Sequence, residues 1–404
     1  MAMLLGDLRI WDGESNAALP APSALRVEGQ RIVDIGPQAA LADGAETLSF
    51  PGCTAIPGLI DGHVHLVLDP EIVDPLEQVV APAAQRLRSM EARAEAMLRA
   101  GITTARDLGG GEGLELALRE RIASGEVPGP RLLCAGQPLT SRGGHCHFWG
   151  GEASSDEEIV SVVRRQLANA VDWVKVMATG GVMTKASDPF AAQFDERQLR
   201  LVVATAAAGG RSVAAHCHGT PGIENAARAG VASIEHCSFA GPGGFGRDLQ
   251  PEVVAAVAEA GTWVSPTINL GWGRRLRAAA GDGEGHEAAA RFVLQMRKVL
   301  AALRQAGVPL VASTDAGIPR VPHDRLAEGL AAFAELAELT PVEALRTATS
   351  TAADALGIGP EVGRLRPGAV ADILIVEGDP LRDLEALRRP RWVLARGRLF
   401  EARR

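Results

Sequence analysis

Residues Gly58–Leu66 read "GLIDGHVHL" and set two of the chain's 9 histidines, His63 and His65, two positions apart in an apolar run. An extended segment has a period of two, so both imidazoles leave the same face of a strand. Two neutral imidazoles on one face can hold one metal ion; a hydrogen-bonded pair at a strand end is the plainer alternative. The segment containing them, "AIPGLIDGHVH" (55–65), is the first of a series. From about residue 101, short β-rich runs, polar or Gly-rich loops and Ala-rich helical segments recur. Further strands are expected over 102–107, 131–136, 173–178, 212–218, 233–237, 262–266 and 309–315. Helices are expected over 86–100, 155–170, 195–208, 250–260 and 287–306. Such alternation predicts an α/β fold with parallel strands and right-handed crossovers. Eight units in about 290 residues suit a TIM (β/α)8 barrel better than an open sheet. No GxGxxG opens a helix after the first strand, which argues against a dinucleotide-binding fold.

The two ends follow another rhythm. Residues 1–56, with "SALRVEGQRIVDIG", and residues 359–404, with "GRLRPGAVADILIVEGD" and "PRWVLARGRLF", alternate apolar and polar positions between turn signals. Neither segment has enough apolar faces to fold alone. Together they predict one small β-sandwich bracketing a catalytic barrel of residues 57–358.

Composition narrows the class. The chain has 404 residues, 47% hydrophobic and 22% charged, as in ordinary globular enzymes. A net charge of −8 without a basic stripe argues against nucleic acid as a partner. No apolar run reaches the ~18 residues of a membrane span, and Asp7 and Asp12 stand where a secretory signal would be basic or apolar. Five cysteines, at 53, 134, 146, 217 and 237, are odd in number and form no CxxC pair, so a reduced cytoplasmic setting is the simplest expectation. Cys217 and Cys237 each follow a histidine on a strand and should point away from it into the apolar layer.

The unusual polar residues gather at the ends of the expected strands: His63 and His65, Lys175, His216 and His218, His236, and Asp315. In a barrel those ends converge on one mouth. Lys175 lies in "DWVKVMATGG", and lysine occurs only at 175, 185 and 298. An ammonium there is costly to bury unpaired. Either it pairs with a carboxylate such as Asp107, or it reacts with CO2 to form an anionic carbamate able to bridge two cations.

The stretches "PGLIDGHVHL", "VKVMATGGV", "VAAHCHG", "SIEHC" and "STDAG" together resemble the metal-dependent amidohydrolase superfamily, more narrowly its imidazolonepropionase-like and Xaa-Pro/Xaa-basic dipeptidase branch. The resemblance spans nearly the whole chain. It implies a distorted TIM barrel with two divalent metal ions, usually zinc. His63 and His65 then match the ligands of the more buried ion, carboxylated Lys175 the bridge, and His216 and His236 the ligands of the exposed ion. Asp315 would touch the buried ion and serve as general base, with hydroxide drawn from a water shared by the ions. His145 matches a position that helps polarise the carbonyl oxygen. His218 falls where related dipeptidases carry a Tyr or His that contacts substrate, and this chain has no tyrosine. Orienting a ligand from behind is the alternative role for both. His147 could pair with His145 as a second metal site, while His286 and His323 are assigned no chemistry.

The implied reaction is hydrolysis of an amide or peptide bond in a small molecule; opening of a cyclic amide or carbamate is the runner-up. A barrel retaining its motifs as scaffold, without catalysis, is the third possibility. The loops "HFWGG" (147–151), "VMTKASDPFAAQF" (182–194) and "INLGWGRRLR" (268–277) offer Phe148, Trp149, Met183, Phe190, Phe194 and Trp272 for an apolar group. They also offer Lys185, Arg274, Arg275 and Arg277 for a carboxylate. That combination points to dipeptides or N-acyl amino acids with a free carboxylate. The family also leads one to expect a homo-oligomer.

Overall fold

The computed structural model of the chain describes residues 2–41, 47–283 and 285–402. Its first five strands are β1 (Ala2–Ile10), β2 (Leu19–Glu28), β3 (Arg31–Pro37), β4 (Thr47–Ser49) and β5 (Cys53–Pro57). There follow β6 (Leu59–Val64), β7 (Ile102–Asp107), β8 (Arg131–Cys134), β9 (Trp173–Met177), β10 (Ser212–Gly219), β11 (Ser233–Ala240) and β12 (Trp263–Ser265). The last three are β13 (Ile373–Glu377), β14 (Pro390–Ala395) and β15 (Arg398–Glu401).

Strands from both ends of the chain share one sheet, ordered β15-β14-β13-β5-β1-β2-β3, with β4 also paired to β1. The seam is the antiparallel pair β13–β5, where Ile375 faces Ala55. The expected hairpin forms with Glu28 opposite Arg31. Leu5, Leu8, Leu25, Val27, Ile373 and Leu394 bury one apolar cluster from both ends, which is why neither segment suffices alone.

The run expected as one strand over 55–65 is two strands, because the chain changes sheet between them. Pro57 still pairs with β13, whereas Leu59 pairs with Ile102 of β7. Gly58 sits at the crossing, where a Cβ would lie 2.1 Å from Thr103 Oγ1. Only glycine leaves room at this point for the Thr103 side chain.

The central strands form two parallel sheets, β6-β7-β8 and β12-β11-β10-β9. Their ends are tied together by short stretches. Beyond β8, Leu139 N donates to Lys175 O (2.9 Å) and Met177 N to Leu139 O (2.8 Å). Beyond β12, Val311 N donates to Val264 O (2.9 Å), Gly62 N to Ala312 O (3.0 Å) and Asp315 N to His63 O (2.8 Å). The stretch 309–315, expected as an eighth strand, makes these bonds as isolated bridges rather than as a regular ladder. Asp315 has φ 56, and this left-handed turn of the backbone breaks the extended run.

Helices pack outside on their apolar stripes. In Asp156–Ala168 the buried positions are Ile159, Val162, Val163 and Gln166, the spacing of one helical face. Ser155 and Asp195 begin their helices with capping boxes, satisfying backbone donors that the first turn leaves free. Helices Glu196–Ala208, Pro251–Glu259 and His286–Gln305 lie within a residue or two of expectation. Among the described residues no helix is long and apolar enough to cross a membrane. All five cysteines are free and buried, and Cys217 and Cys237 belong to the apolar core.

Candidate metal centre

At the end of β6, His63 Nε2 lies 3.2 Å from His65 Nε2. Asp315 Oδ1 lies 3.4 Å from the first and 3.5 Å from the second. A tetrahedral ion with bonds of about 2.0–2.1 Å spaces its donors about 3.3–3.4 Å apart. The spacing of the three atoms fits one face of a coordination shell of zinc size. Asp61 fixes its geometry from below: its carboxylate accepts from Thr314 Oγ1 (2.6 Å) and Thr314 N (3.1 Å), tying β6 to the Asp315 segment.

A second set lies beside it. The donor atoms of His216, His218 and His236 are within 4.8 Å of one another, as are those of His63, His236 and Asp315. His63, His65, His216 and His236 each have one ring nitrogen committed to an acceptor. His63 Nδ1 donates to Glu235 (3.0 Å), His65 Nδ1 to Gly109 O (2.9 Å) and His216 Nε2 to Gly180 O (3.1 Å). His236 Nδ1 meets Thr267 Oγ1 at 2.8 Å, whose own proton goes to Pro266 O. Each ring then keeps a lone pair on its other nitrogen, the arrangement metal-binding histidines use. Burial, reinforced by neighbouring cations and imidazoles, holds all four below the ordinary histidine range and so neutral.

Lys175 lines the same cavity. Its Nζ is buried and has no hydrogen-bond partner among the described residues. Burial pushes its pKa down to about 8. The alternative pairing with Asp107 is not made, since that carboxylate accepts from Leu66 N and Gly109 N, both at 2.9 Å. Nor is Glu235 available. Its Oε1 accepts from Arg106 Nη2 (2.7 Å) and Ser233 Oγ (2.7 Å), and its Oε2 from His63. An orphaned amine among nitrogen and oxygen donors fits an anionic bridge better than a salt bridge.

His145 and His218 also line the cavity. The His145 ring lies 4.5 Å from that of His216, and its Nδ1 is 3.1 Å from Thr184 Oγ1. A Cβ on Gly181 would lie 2.5 Å from this ring, so glycine makes room for it. His218 Nδ1 lies 2.8 Å from Ser238 Oγ. Burial lowers both to about 3. His147 lines the cavity but turns its Nδ1 to Gly144 O and joins no metal-capable donor group among the described residues. His286 begins a helix, and His323 donates from Nε2 to His65 O at 3.0 Å, bracing that backbone.

The cavity measures about 730 Å³. Phe148, Met183, Trp272, Lys185 and Arg275 line it as the loops suggested, joined by Phe245, Phe292 and Met296. Arg274, Arg277, Trp149, Phe190 and Phe194 do not line it. On the helix Leu270–Ala280, Trp272, Arg275 and Leu276 share a face, and Arg274 projects from the other side. The Arg275 guanidinium lies 5.4 Å from the Trp272 ring and 5.7 Å from that of Phe292. Trp149 packs instead against His65, ring to ring at 5.3 Å.

Glu235, Arg106 and Asp61 were not singled out from the sequence. Their signal was a charge inside an apolar strand, in "SIEHC", "TTARD" and "GLIDG". Strand alternation puts Glu235 and His236 on opposite faces. Positive φ at His236 (68) and Cys237 (47) breaks that alternation, and both reach the His63 side.

Fold and site together define a hydrolase, and residues 54–395 match the amidohydrolase family: the chain belongs to it. It is 31% identical over 371 residues to ochratoxinase of Aspergillus niger, covering 84% of this chain and 73% of that protein. To imidazolonepropionase of Chloroflexus aggregans it is 28% identical over 396 residues, 89% and 85% of the two chains. A Xaa-Pro dipeptidase solved with methionine in its active site superposes with a TM-score of 0.84 at 26% identity, covering 99% of this chain and all of that one. The imidazolonepropionase and the Xaa-Pro dipeptidase match the branch that the motifs resemble.

Proposed function

We propose that the protein is a binuclear metal-dependent hydrolase of an amide or peptide bond, in a dipeptide or an N-acyl amino acid with a free carboxylate. The observation that carries this reading is the His63–His65–Asp315 triangle, whose edges of 3.2, 3.4 and 3.5 Å match a zinc coordination face. His63, His65 and Asp315 would hold one ion and His216 and His236 the other, with Lys175, as a CO2-derived carbamate, supplying an anionic oxygen ligand between the two sets. Two divalent ions, zinc by the nitrogen-rich donor set, supply an activated water and a Lewis acid for the carbonyl when bound.

The chain's own groups do the rest. Asp315, raised by burial above the usual carboxylate range, accepts a proton from the attacking water and returns it to the leaving nitrogen. In this reading His145, which lines the same cavity, donates to the carbonyl oxygen, and His218 contacts the substrate. Phe148, Met183, Phe245 and Trp272 exclude water around an apolar side chain. Arg275, held against two aromatic rings, reads the carboxylate. The likeness to a Xaa-Pro dipeptidase supports this substrate class; the imidazolonepropionase relative keeps a cyclic amide or carbamate as the second reading.

We read the two parallel sheets and their bridging stretches as one distorted (β/α)8 barrel over residues 57–358. The sheet built from residues 1–56 and 359–404 is the flanking β-sandwich. The test of function is a panel of dipeptides, N-acyl amino acids, cyclic amides and carbamates on zinc-reconstituted protein. Amidating the preferred substrate's carboxylate should lower kcat/KM at least roughly tenfold, the scale of one charge-assisted contact. Equal turnover of free acid and amide, with preference for a cyclic amide, would promote the second reading.

A further inference from the structure

Among His63, His65, His216 and His236, His63 alone is held by an ionised side chain; the others meet a carbonyl or a hydroxyl. That side chain, Glu235, is fully buried and is itself gripped from behind. Arg106 Nη2 and Ser233 Oγ both donate to its Oε1 at 2.7 Å, leaving Oε2 for His63. Arg106 is in turn immobilised. Its Nε donates to Gly62 O (2.8 Å), its Nη1 to Ser233 Oγ (2.8 Å), and its guanidinium lies 4.6 Å from the Trp173 ring. Three strands, β7, β9 and β11, thus supply parts of one device aimed at the first strand of the site.

We propose that Glu235 is a positioning residue that keeps the His63 proton on Nδ1 and its Nε2 lone pair toward His65 and Asp315, and that Arg106 determines which Glu235 atom His63 meets. A carboxylate only accepts, so the nitrogen facing it must carry the proton. Arg106 only donates, so the Glu235 oxygen in front of it must be an acceptor. With the His63 proton on Nδ1, a carboxylate is the side chain of this shape that accepts from both neighbours at once. In Glu235→Gln the carbonyl oxygen stays with Arg106 and the amide NH2 turns to His63. His63 Nδ1 must then accept, its proton moves to Nε2, and the lone pair aimed at His65 and Asp315 is lost. The substitution changes shape very little and reverses one hydrogen bond.

The inference rests on His63 being a metal ligand, and the test separates the two ideas. Side-chain 15N NMR of the metal-free protein reads the His63 tautomer without metal. Wild type should show the proton on Nδ1 and Glu235→Gln on Nε2, with unchanged circular dichroism. Zinc affinity by chelator competition should fall roughly 10- to 100-fold in Glu235→Gln, the range for second-sphere partners of ligating histidines. Adding Arg106→Met frees the glutamine to present its carbonyl to His63, so the double variant should regain the Nδ1 proton and bind zinc more tightly than Glu235→Gln alone. An Nε2 proton in metal-free wild type would overturn the proposal without need of any variant. So would an unchanged tautomer in Glu235→Gln, or a double variant no better than the single one. If wild type binds no zinc while the tautomers behave as stated, the metal reading fails and the positioning role stands.

Discussion

Lys175 and Asp315 carry the reading at the scale of single residues. Lys175 has a buried amine without a hydrogen-bond partner among the described residues, while every carboxylate oxygen of Asp107 and Glu235 is engaged. Lys175→Ala should abolish hydrolysis, and short carboxylic acids should restore part of it by supplying the missing anion; a structure of metal-loaded protein with an unmodified Lys175 paired to a carboxylate would refute the bridge. Asp315→Asn should keep the fold and much of the metal yet lose several orders of magnitude in kcat, because proton transfer is what disappears. Turnover near wild type would move the base elsewhere. These residues were legible because each is a charged group set in an apolar run, Lys175 within an expected strand and Asp315 at the end of one. Glu235 and Arg106 were not, since their partners are brought together across 129 positions of sequence, and spacing within one motif carries no sign of that.

Elements matter where the backbone departs from its ideal form. The expected strands and helices were legible from period and composition, to within a few residues at most ends. The stretch 309–315 was misread as a strand because its hydrophobicity is that of a strand, while the left-handed Asp315 is invisible in composition. The arginine run 274–277 could not be sorted by chemistry; helical phase separates Arg275, on the cavity, from Arg274. Gly181 belongs to this scale too. Gly181→Ala would drive a methyl into the His145 ring, which lies 2.5 Å from the added Cβ. The variant should retain its metal by elemental analysis while kcat/KM falls at least about tenfold, the lower range for a lost contact to developing charge. Undiminished kcat/KM would show that His145 takes no part in the reaction.

For the whole molecule, both chain ends were expected in a small β-sandwich because neither could bury its apolar face alone; their strands share one sheet over a common apolar cluster. The assembled centre also sets how stability responds to pH. Seven histidines (63, 65, 145, 216, 218, 236 and 323) are pushed down by burial. Five carboxyls (Asp61, Asp107, Glu115, Asp315 and Asp372) are pushed up. Below pH 6.5 the unfolded chain protonates histidines that the fold keeps neutral, so stability falls with falling pH. The raised carboxyls act in the opposite sense, because the fold keeps protons that the unfolded chain has released. The histidines outnumber them, so the Tm of metal-free protein should drop between about pH 6.5 and 4.5, each uncompensated proton contributing up to about 1.4 kcal/mol per pH unit. A Tm that is flat or rises over that interval would mean the histidines are not held neutral together.

The central claim is that these side chains assemble around two ions, and metal stoichiometry tests it most directly. Protein loaded with zinc in the presence of bicarbonate and freed of excess metal should carry close to two ions per chain by elemental analysis. His63→Ala should carry close to one. A wild-type value of one ion or none would contradict the account.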